Sequence, residues 1–233
     1  MDAGQYAERL RTGRWFAALP AALQQALLRL AVVQVVAPGD RVFSRGDAPS
    51  GLYAAVEGSI RVVGVTEGGK EVMLTLVEPP SWFAEIAVFD GEPRTHDAIA
   101  QTAVTVLRVP QVPLHALLAS HPAWWRDLAL LMTAKLRMTF TMIEDRVARP
   151  LAARCARRLV LMAGAHGELT DRSLRVVDVR QEQLATMLGS SRQTINAVLK
   201  DFEQRGLLRV AYGQIEIVDL DGLRLAAAAI ESD

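Results

Sequence analysis

The sequence predicts an α+β chain in which a β-rich half leads into one long helix and then into a compact helical segment with a small hairpin. Short β-branched runs separated by Gly and Pro pairs fill residues 31–109. A helical pattern without Gly or Pro covers residues 123–148, and the sequence pattern beyond Pro150 is helical again. These changes of pattern predict three successive parts at residues 1–122, 123–149 and 150–233.

The composition is that of an ordinary globular protein. Of its 233 residues, 51% are apolar and 22% are charged, which supplies ample material for a core. The N-terminus lacks the apolar run of a secretory signal, and no stretch reaches the roughly 18 apolar residues of a membrane span. We therefore expect a cytoplasmic protein. The single cysteine, Cys155, cannot form an internal disulfide and is expected to be a buried small hydrophobe.

The first part is predicted to begin with short helices over residues 15–30, broken at Pro20, and to continue as a β sandwich or barrel. Turn pairs such as Pro38-Gly39 and Pro79-Pro80 supply the reversals that antiparallel strands need. A short helix over residues 111–119 ends this part. The predicted strands cover residues 31–36, 41–44, 52–56, 59–66, 71–77 and 103–109.

The long helix carries an apolar stripe at spacings of four, four, three and four, close to the 3.5-residue period of a coiled coil. The stripe consists of Leu128, Met132, Leu136, Thr139 and Ile143. Such a stripe is typical either of a core or of an interface. Because this helix follows a complete β domain and precedes a new helical one, we expect a parallel homodimer along it. Pro150 ends the helix and suits the first turn of the next one, over residues 151–163.

The segment 181–208 predicts two short helices joined by a tight turn at Gly189-Ser190-Ser191, followed by a strand–turn–strand wing. In the second helix an apolar face at i, i+3, i+4 and i+7 must point inward. That face consists of Ile195, Val198, Leu199 and Phe202. The opposite face is polar, and its position suits a recognition helix in the major groove of DNA. This pattern is a winged helix-turn-helix.

The polar face has the chemistry of base and phosphate recognition. Arg192 can bond bidentately to guanine and Gln193 to adenine, while Ser191 and Thr194 lie at the helix start, where phosphates bind. Two alternatives assign these residues purely structural roles: Ser190 and Gln193 match a capping box, and Arg192 suits a solvated surface position. The predicted DNA contacts are Ser191, Arg192, Gln193, Thr194, Asn196, Ala197 and Lys200.

Charge gives little support to nucleic-acid binding. Lys and Arg total 26, as do Asp and Glu, whereas DNA-binding domains often carry a strong basic excess. Residues 180–209 hold five basic and three acidic side chains, a local charge of +2.

The order of these parts resembles the Crp–Fnr family of cyclic-AMP receptor and fumarate–nitrate regulators. The resemblance rests on R-Q-E-x-L and G-S-S-R-Q-T-I-N within residues 180–196, and on the segments 38–63 and 82–98. It implies an N-terminal β jelly roll of the cyclic-nucleotide-binding type, a long dimerisation helix and a C-terminal winged helix-turn-helix. It also implies an allosteric homodimer that binds a palindromic operator in double-stranded DNA and acts on RNA polymerase.

The resemblance implies an effector site for cyclic AMP, cyclic GMP or cyclic di-GMP. In the family, three residue pairs contact the ribose, the cyclic phosphate and the purine of the nucleotide. In this sequence they align with Ala84-Glu85, Arg94-Thr95 and Thr139-Phe140, respectively. Ala84 replaces the family's glycine and Phe140 replaces a hydroxyl. His96-Asp97 follow where a small residue is usual, which adds polarity and an anion near the phosphate. The alternative is an internal Glu85–Arg94 ion pair in a pocket that binds no nucleotide.

Two rival functions compete with this one. Gly64 to Lys70 match the phosphate-loop pattern G-x-x-x-x-G-K, but Glu71 follows where a magnesium-binding Ser or Thr is needed, so a hairpin turn is expected. We predict no catalytic residues and no metal site, since His96, His115, His121 and His166 lack ligand spacing. The second rival is a nucleotide-binding signalling module that acts on a protein partner, which the helix-turn-helix argues against.

Overall fold

The computed structural model describes residues 2–69, 71–164 and 176–229, which fall into two compact units. The first unit extends to Arg137, and the second begins at Met138. Lys70 of the phosphate-loop pattern and His166 lie outside the described residues. No helix of the described ranges has the length and apolarity that crossing a membrane requires.

The helices of the first unit are short, apart from the last. A 3₁₀ turn, Ala3–Tyr6, precedes α1 (Ala7–Arg11), α2 (Arg14–Ala18) and α3 (Ala21–Leu30). Pro20 separates α2 from α3 as predicted and forms the N-cap of α3, because proline lacks the N–H that a continuous helix would use. Later in the chain come α4 (Ile86–Asp90), α5 (Gln111–Ser120) and α6 (Trp124–Ala148), which continues into the second unit.

Eight strands of the first unit form two four-stranded sheets with antiparallel pairing throughout. In chain order the strands are β1 (Val32–Val36), β2 (Arg41–Phe43), β3 (Gly51–Glu57), β4 (Ile60–Val65), β5 (Glu71–Val77), β6 (Trp82–Phe83), β7 (Asp97–Ala100) and β8 (Val104–Pro110). One sheet has the order β1-β8-β3-β6 and the other β2-β7-β4-β5. The predicted double-sheet jelly roll is confirmed.

Strand β3 is buried on both faces, which explains its unbroken apolar run. Tyr53 and Ala55 belong to the core that includes residues of both sheets. Leu52 and Ala54 point to the opposite side and belong to the core formed with the helices. Because successive side chains of a strand point to opposite faces, the residues on both faces must be apolar when both faces are covered.

The elements within residues 82–100 escaped prediction. Strand β6 has two residues and α4 has five, too few to show a period. Strand β7 reads Asp-Ala-Ile-Ala, which lacks the β-branched enrichment of the other strands. These short elements nevertheless flank the predicted effector residues, since Ala84-Glu85 lie between β6 and α4 and Arg94-Thr95 precede β7.

The second unit holds α7 (Leu151–Ala163), β9 (Val176–Val177), α8 (Gln181–Leu188), α9 (Arg192–Gln204), β10 (Leu208–Ala211), β11 (Gln214–Ile217) and α10 (Leu220–Ala227). Strands β10 and β11 form the predicted wing, and β9 adds an unpredicted third strand. Cys155 on α7 is fully buried, and burial raises the pKa of its thiol to about 12, so the thiol stays protonated at neutral pH.

One residue of the predicted dimer stripe was misplaced. Leu128 is fully buried in the core of its own unit together with Leu131, so its assignment to a partner surface is wrong. The start of α6 packs against the core of the first unit, so the exposed apolar stripe begins only after this part of the helix. The large apolar side chains exposed further along α6 are Leu136 (50%), Phe140 (56%), Ile143 (57%) and Val147 (81%).

Candidate effector and nucleic-acid sites

The backbone of the predicted ribose site is held in an unusual conformation. Ala84 lies between β6 and α4 with φ of +71°, and no other non-glycine residue of the described ranges has a positive φ. A left-handed backbone brings Cβ close to its own carbonyl, which costs about 1–2 kcal/mol for an alanine. The sequence departure at Ala84 therefore stores strain at the site instead of changing the local fold.

Ala84→Gly is expected to raise the free energy of unfolding of the first unit by about 1 kcal/mol, since glycine adopts positive φ freely. Urea unfolding followed by tryptophan fluorescence measures the change. Ala87→Gly is the matched control: it lies on α4 with helical backbone and should lower stability by a similar amount. Equal destabilisation by both substitutions would contradict the strain.

Arg94 is buried at the bottom of the predicted phosphate site. Its Nη1 donates to the Ala84 carbonyl oxygen at 2.8 Å, and its Nη2 donates to the carbonyl oxygen of Gly51 at 2.7 Å and to Ser50 Oγ at 3.2 Å. Its Nε is buried and has no hydrogen-bond partner among the described residues. A buried N–H without an acceptor is costly, so this group suits a further acceptor.

The surroundings of the Arg94 guanidinium are partly aromatic. The carbon of the guanidinium lies 4.6 Å from the centre of the Phe43 ring and 5.7 Å from that of Tyr53. Burial lowers the pKa of Arg94, an effect opposed by Tyr53, Glu85 and Asp47. The side chain is therefore a buried, oriented cation.

Glu85 is buried as well, but it is paired with a residue on the long helix. Lys135 Nζ lies 2.6 Å from Glu85 Oε2. The alternative of a Glu85–Arg94 ion pair is wrong, because Arg94 is held by carbonyl and hydroxyl oxygens. The two side chains thus keep separate roles, an anion and a cation in one site.

The negative charge of Asp97, expected beside the phosphate site, is paired with nearby donors and cations. Asp97 accepts a hydrogen bond from the Arg45 backbone N–H at 2.7 Å and lies 3.6 Å from Arg41 Nη2. His96 Nδ1 lies 2.8 Å from the hydroxyl oxygen of Thr95. Burial first and Arg45 second lower the pKa of His96, against the opposing effect of Asp97. His96 is thus neutral at pH 7.

The helix-turn-helix is built by local hydrogen bonds. Gly189 ends α8 with φ of +63°, a left-handed conformation that favours glycine. Ser191 is the N-cap of α9 and accepts a hydrogen bond from the Thr194 backbone N–H at 3.0 Å. Ser190 is therefore not the cap, and the predicted capping box with Gln193 is wrong.

Helix α9 has one buried face and one open face. Ile195, Leu199 and Phe202 are buried, while Val198 is half-buried. The residues predicted to contact DNA lie on the open face, and of these only Asn196 is half-buried. The exposed ones are Ser191, Arg192, Gln193, Thr194, Ala197 and Lys200.

Two exposed side chains of the second unit were not assigned a role from the sequence. A methyl group built at Gly189 would lie 3.6 Å from Arg146 Nη2, so the end of α6 brings a cation to the helix-turn-helix turn. Tyr212 at the tip of the wing is 99% exposed. Tyr212 lies in the predicted turn of the wing. No sequence pattern around Arg146 indicates that its side chain lies beside the turn at Gly189.

Comparison with known proteins agrees with this geometry. Residues 33–121 match the model of the cyclic nucleotide-binding domain, and residues 153–226 match that of the Crp-like helix-turn-helix domain. The chain is 30% identical over 186 residues to the CRP-like cAMP-activated global transcriptional regulator of Mycobacterium tuberculosis, covering 79% of this chain and 83% of the relative. The chain belongs to the Crp/Fnr family of transcription regulators.

Other relatives of this Crp/Fnr chain agree. It is 30% identical over 172 residues to the transcriptional regulator SdrP of Thermus thermophilus, covering 74% of this chain and 81% of that one. The crystal structure of a CRP/FNR-family transcriptional regulator from Thermus thermophilus superposes with a TM-score of 0.66 at 27% identity, covering 85% of this chain and 99% of that one. The resemblance inferred from the sequence is confirmed.

The first unit of this Crp/Fnr regulator brings together only part of the predicted effector site. Ala84, Glu85 and Arg94 lie around one site, and Thr95 is exposed beside it. Thr139 and Phe140 lie on α6 in the second unit, and both are exposed. The structure adds Ser50 and Lys135, whose partners lie far away in the sequence.

Proposed function

We propose that this chain is a homodimeric transcription regulator whose helix α9 reads DNA in the major groove under the control of a cyclic nucleotide. The observation that carries the proposal is the open polar face of α9, opposite buried Ile195, Leu199 and Phe202. Arg192 and Gln193 supply bidentate donors and acceptors at the start of the helix, where base edges are contacted. Arg146 and Tyr212 add candidate contacts to the sugar–phosphate backbone.

A second copy of the chain is the proposed partner of α6. Leu136, Phe140, Ile143 and Val147 are exposed at spacings of four, three and four, the pattern of a coiled-coil seam. Such a seam is self-complementary in a parallel pair. A dimer would carry two copies of α9 to successive major grooves, about 34 Å apart, of a palindromic site.

The proposed effector is cyclic AMP or a similar cyclic nucleotide, as the name of the Mycobacterium tuberculosis relative suggests. The unpartnered Nε of Arg94 is the donor that we assign to a phosphate oxygen, and Ser50 Oγ lies beside it. Oε1 of Glu85 is the acceptor for a ribose hydroxyl, since Oε2 is bound by Lys135.

The Lys135–Glu85 ion pair gives the effector a route to the dimer helix. Lys135 lies next to Leu136 of the proposed seam, so a ribose that bonds to Oε1 of Glu85 alters the charge and position of the carboxylate that Lys135 on α6 binds through Oε2. Effector binding and DNA binding would then share one equilibrium between two arrangements of the dimer. Occupancy of a promoter site would recruit or block RNA polymerase.

Arg192→Ala tests the DNA interface. Duplexes enriched by the wild-type protein from a random-sequence library serve as specific DNA, and unselected duplexes serve as random DNA. If Arg192 bonds to guanine, the variant should lose about 1–3 kcal/mol of discrimination between the two in fluorescence anisotropy. Equal losses on both would reduce Arg192 to a phosphate contact.

Arg205→Ala is the matched control for this experiment. Arg205 is also an exposed arginine of the α9 region, but it lies at the C-terminal end and pairs with Asp201 at 3.1 Å. Its removal should preserve discrimination. Failure of the wild-type protein to enrich any duplex, with or without cyclic nucleotides, would overturn the proposed function.

A further inference from the structure

A buried arginine in the second unit is bound to two methionines. Arg158 on α7 is only 7% exposed, and its Nη1 donates to Met142 Sδ at 3.1 Å and its Nε to Met187 Sδ at 3.4 Å. Thioether sulfur is a weak acceptor, so these two hydrogen bonds are weaker than bonds to oxygen would be. Burial lowers the pKa of Arg158 to about 10, so the group is still a cation at neutral pH.

We propose that Met142 and Met187 form a peroxide-oxidation site in which Arg158 binds the product. The thioether sulfur attacks one oxygen of hydrogen peroxide, the O–O bond breaks and an S–O bond forms. The hydroxide that leaves takes the proton of the transferred hydroxyl and becomes water. Sulfur thereby loses two electrons to the peroxide, and each methionine becomes a sulfoxide.

The guanidinium favours this reaction in two ways. Its N–H groups lie at the sulfur atoms, where they can donate to the transferred oxygen as it takes on the negative charge of the forming S–O bond. After the reaction, the sulfoxide oxygen replaces a weak sulfur acceptor and forms a charge-assisted hydrogen bond. Both methionines are half-buried, so part of each residue is in contact with the solvent from which a small peroxide would approach.

The chain contains internal references for this reactivity. Met138 lies on the same helix as Met142 and is also half-buried, but the contacts of the described residues give it no guanidinium partner. Cys155 is not a competing target, because its thiol is fully buried and its raised pKa of about 12 leaves almost no reactive thiolate.

Oxidation at this site would reach the DNA-reading segment. The cluster joins α6 through Met142, α7 through Arg158 and α8 through Met187, and α8 is the first helix of the helix-turn-helix. A sulfoxide places an additional oxygen between sulfur and guanidinium, so the helices must shift to accommodate it. We expect a lower affinity for specific DNA, a consequence that rests on the proposed function.

The first test needs no DNA. The intact protein is exposed to hydrogen peroxide for increasing times, and peptide mass spectrometry follows each methionine, with its rate in the unfolded chain as reference. Met142 and Met187 should form sulfoxides several-fold faster than Met138. Equal reference-corrected rates would overturn the oxidation site.

The second test measures affinity for library-enriched duplexes before and after peroxide. After peroxide, the wild type should bind the duplexes roughly tenfold more weakly, because the free energy of one charge-assisted hydrogen bond would favour the shifted helices. The control Met138→Leu should show the same loss of affinity. The double variant Met142→Leu/Met187→Leu should keep its affinity, and circular dichroism verifies its fold. An equal loss in the double variant, or no loss in the wild type, would overturn the regulatory role. If no duplex is enriched at all, the proposed function fails while the first test still decides the oxidation site.

Discussion

Leu136→Glu combined with Ile143→Glu is expected to convert the protein to monomers and to lower its affinity for enriched duplexes by roughly 10²–10⁴-fold. Both residues are at least half exposed on one stripe of α6, so four carboxylates would meet across the seam of a parallel pair. A monomer loses the effective concentration that links two half-sites. Sedimentation velocity and fluorescence anisotropy measure the two effects.

The control for the seam keeps its apolar character. Leu136→Ile with Ile143→Leu conserves the side-chain volume and should remain dimeric with unchanged DNA affinity. A double glutamate variant that sediments as a dimer would rule out α6 as the interface.

Arg94→Lys is expected to lower the affinity for cyclic AMP or cyclic GMP by about a hundredfold. Lysine keeps the charge but cannot reproduce the fork that donates to Ala84, Gly51 and Ser50 while Nε remains available. Loss of one partner of a buried charged pair typically has this magnitude. Isothermal titration calorimetry measures the binding, and urea unfolding separates it from loss of the fold.

Arg61→Lys provides the comparison for Arg94. Arg61 belongs to the same jelly roll, but its side chain pairs with Glu71 and is partly exposed, so nucleotide affinity should be unaffected. Wild-type affinity in Arg94→Lys would show that this arginine does not bind the phosphate. A wild-type protein that binds no cyclic AMP, cyclic GMP or cyclic di-GMP would refute the choice of effector class.

Local patterns were enough to predict the helix-turn-helix segment. The spacing of Ile195, Leu199 and Phe202 fixes which face of α9 is buried, and Gly189 fixes the turn before it. Both signals act within one or two helical turns, so they can be read from neighbouring residues. The cap was less predictable, because Ser190 and Ser191 are adjacent and equally suitable.

Periodicity and turn chemistry were enough to predict the order of the parts, a β sandwich or barrel and the open face of α9, and the family resemblance specified the jelly roll. Three contacts could be seen only in the folded chain: the burial of Leu128, the pairing of Lys135 with Glu85, and the hydrogen bonds of Arg158 to Met142 and Met187. These contacts join residues from separate elements. Their geometry depends on how the elements pack, which no local pattern records.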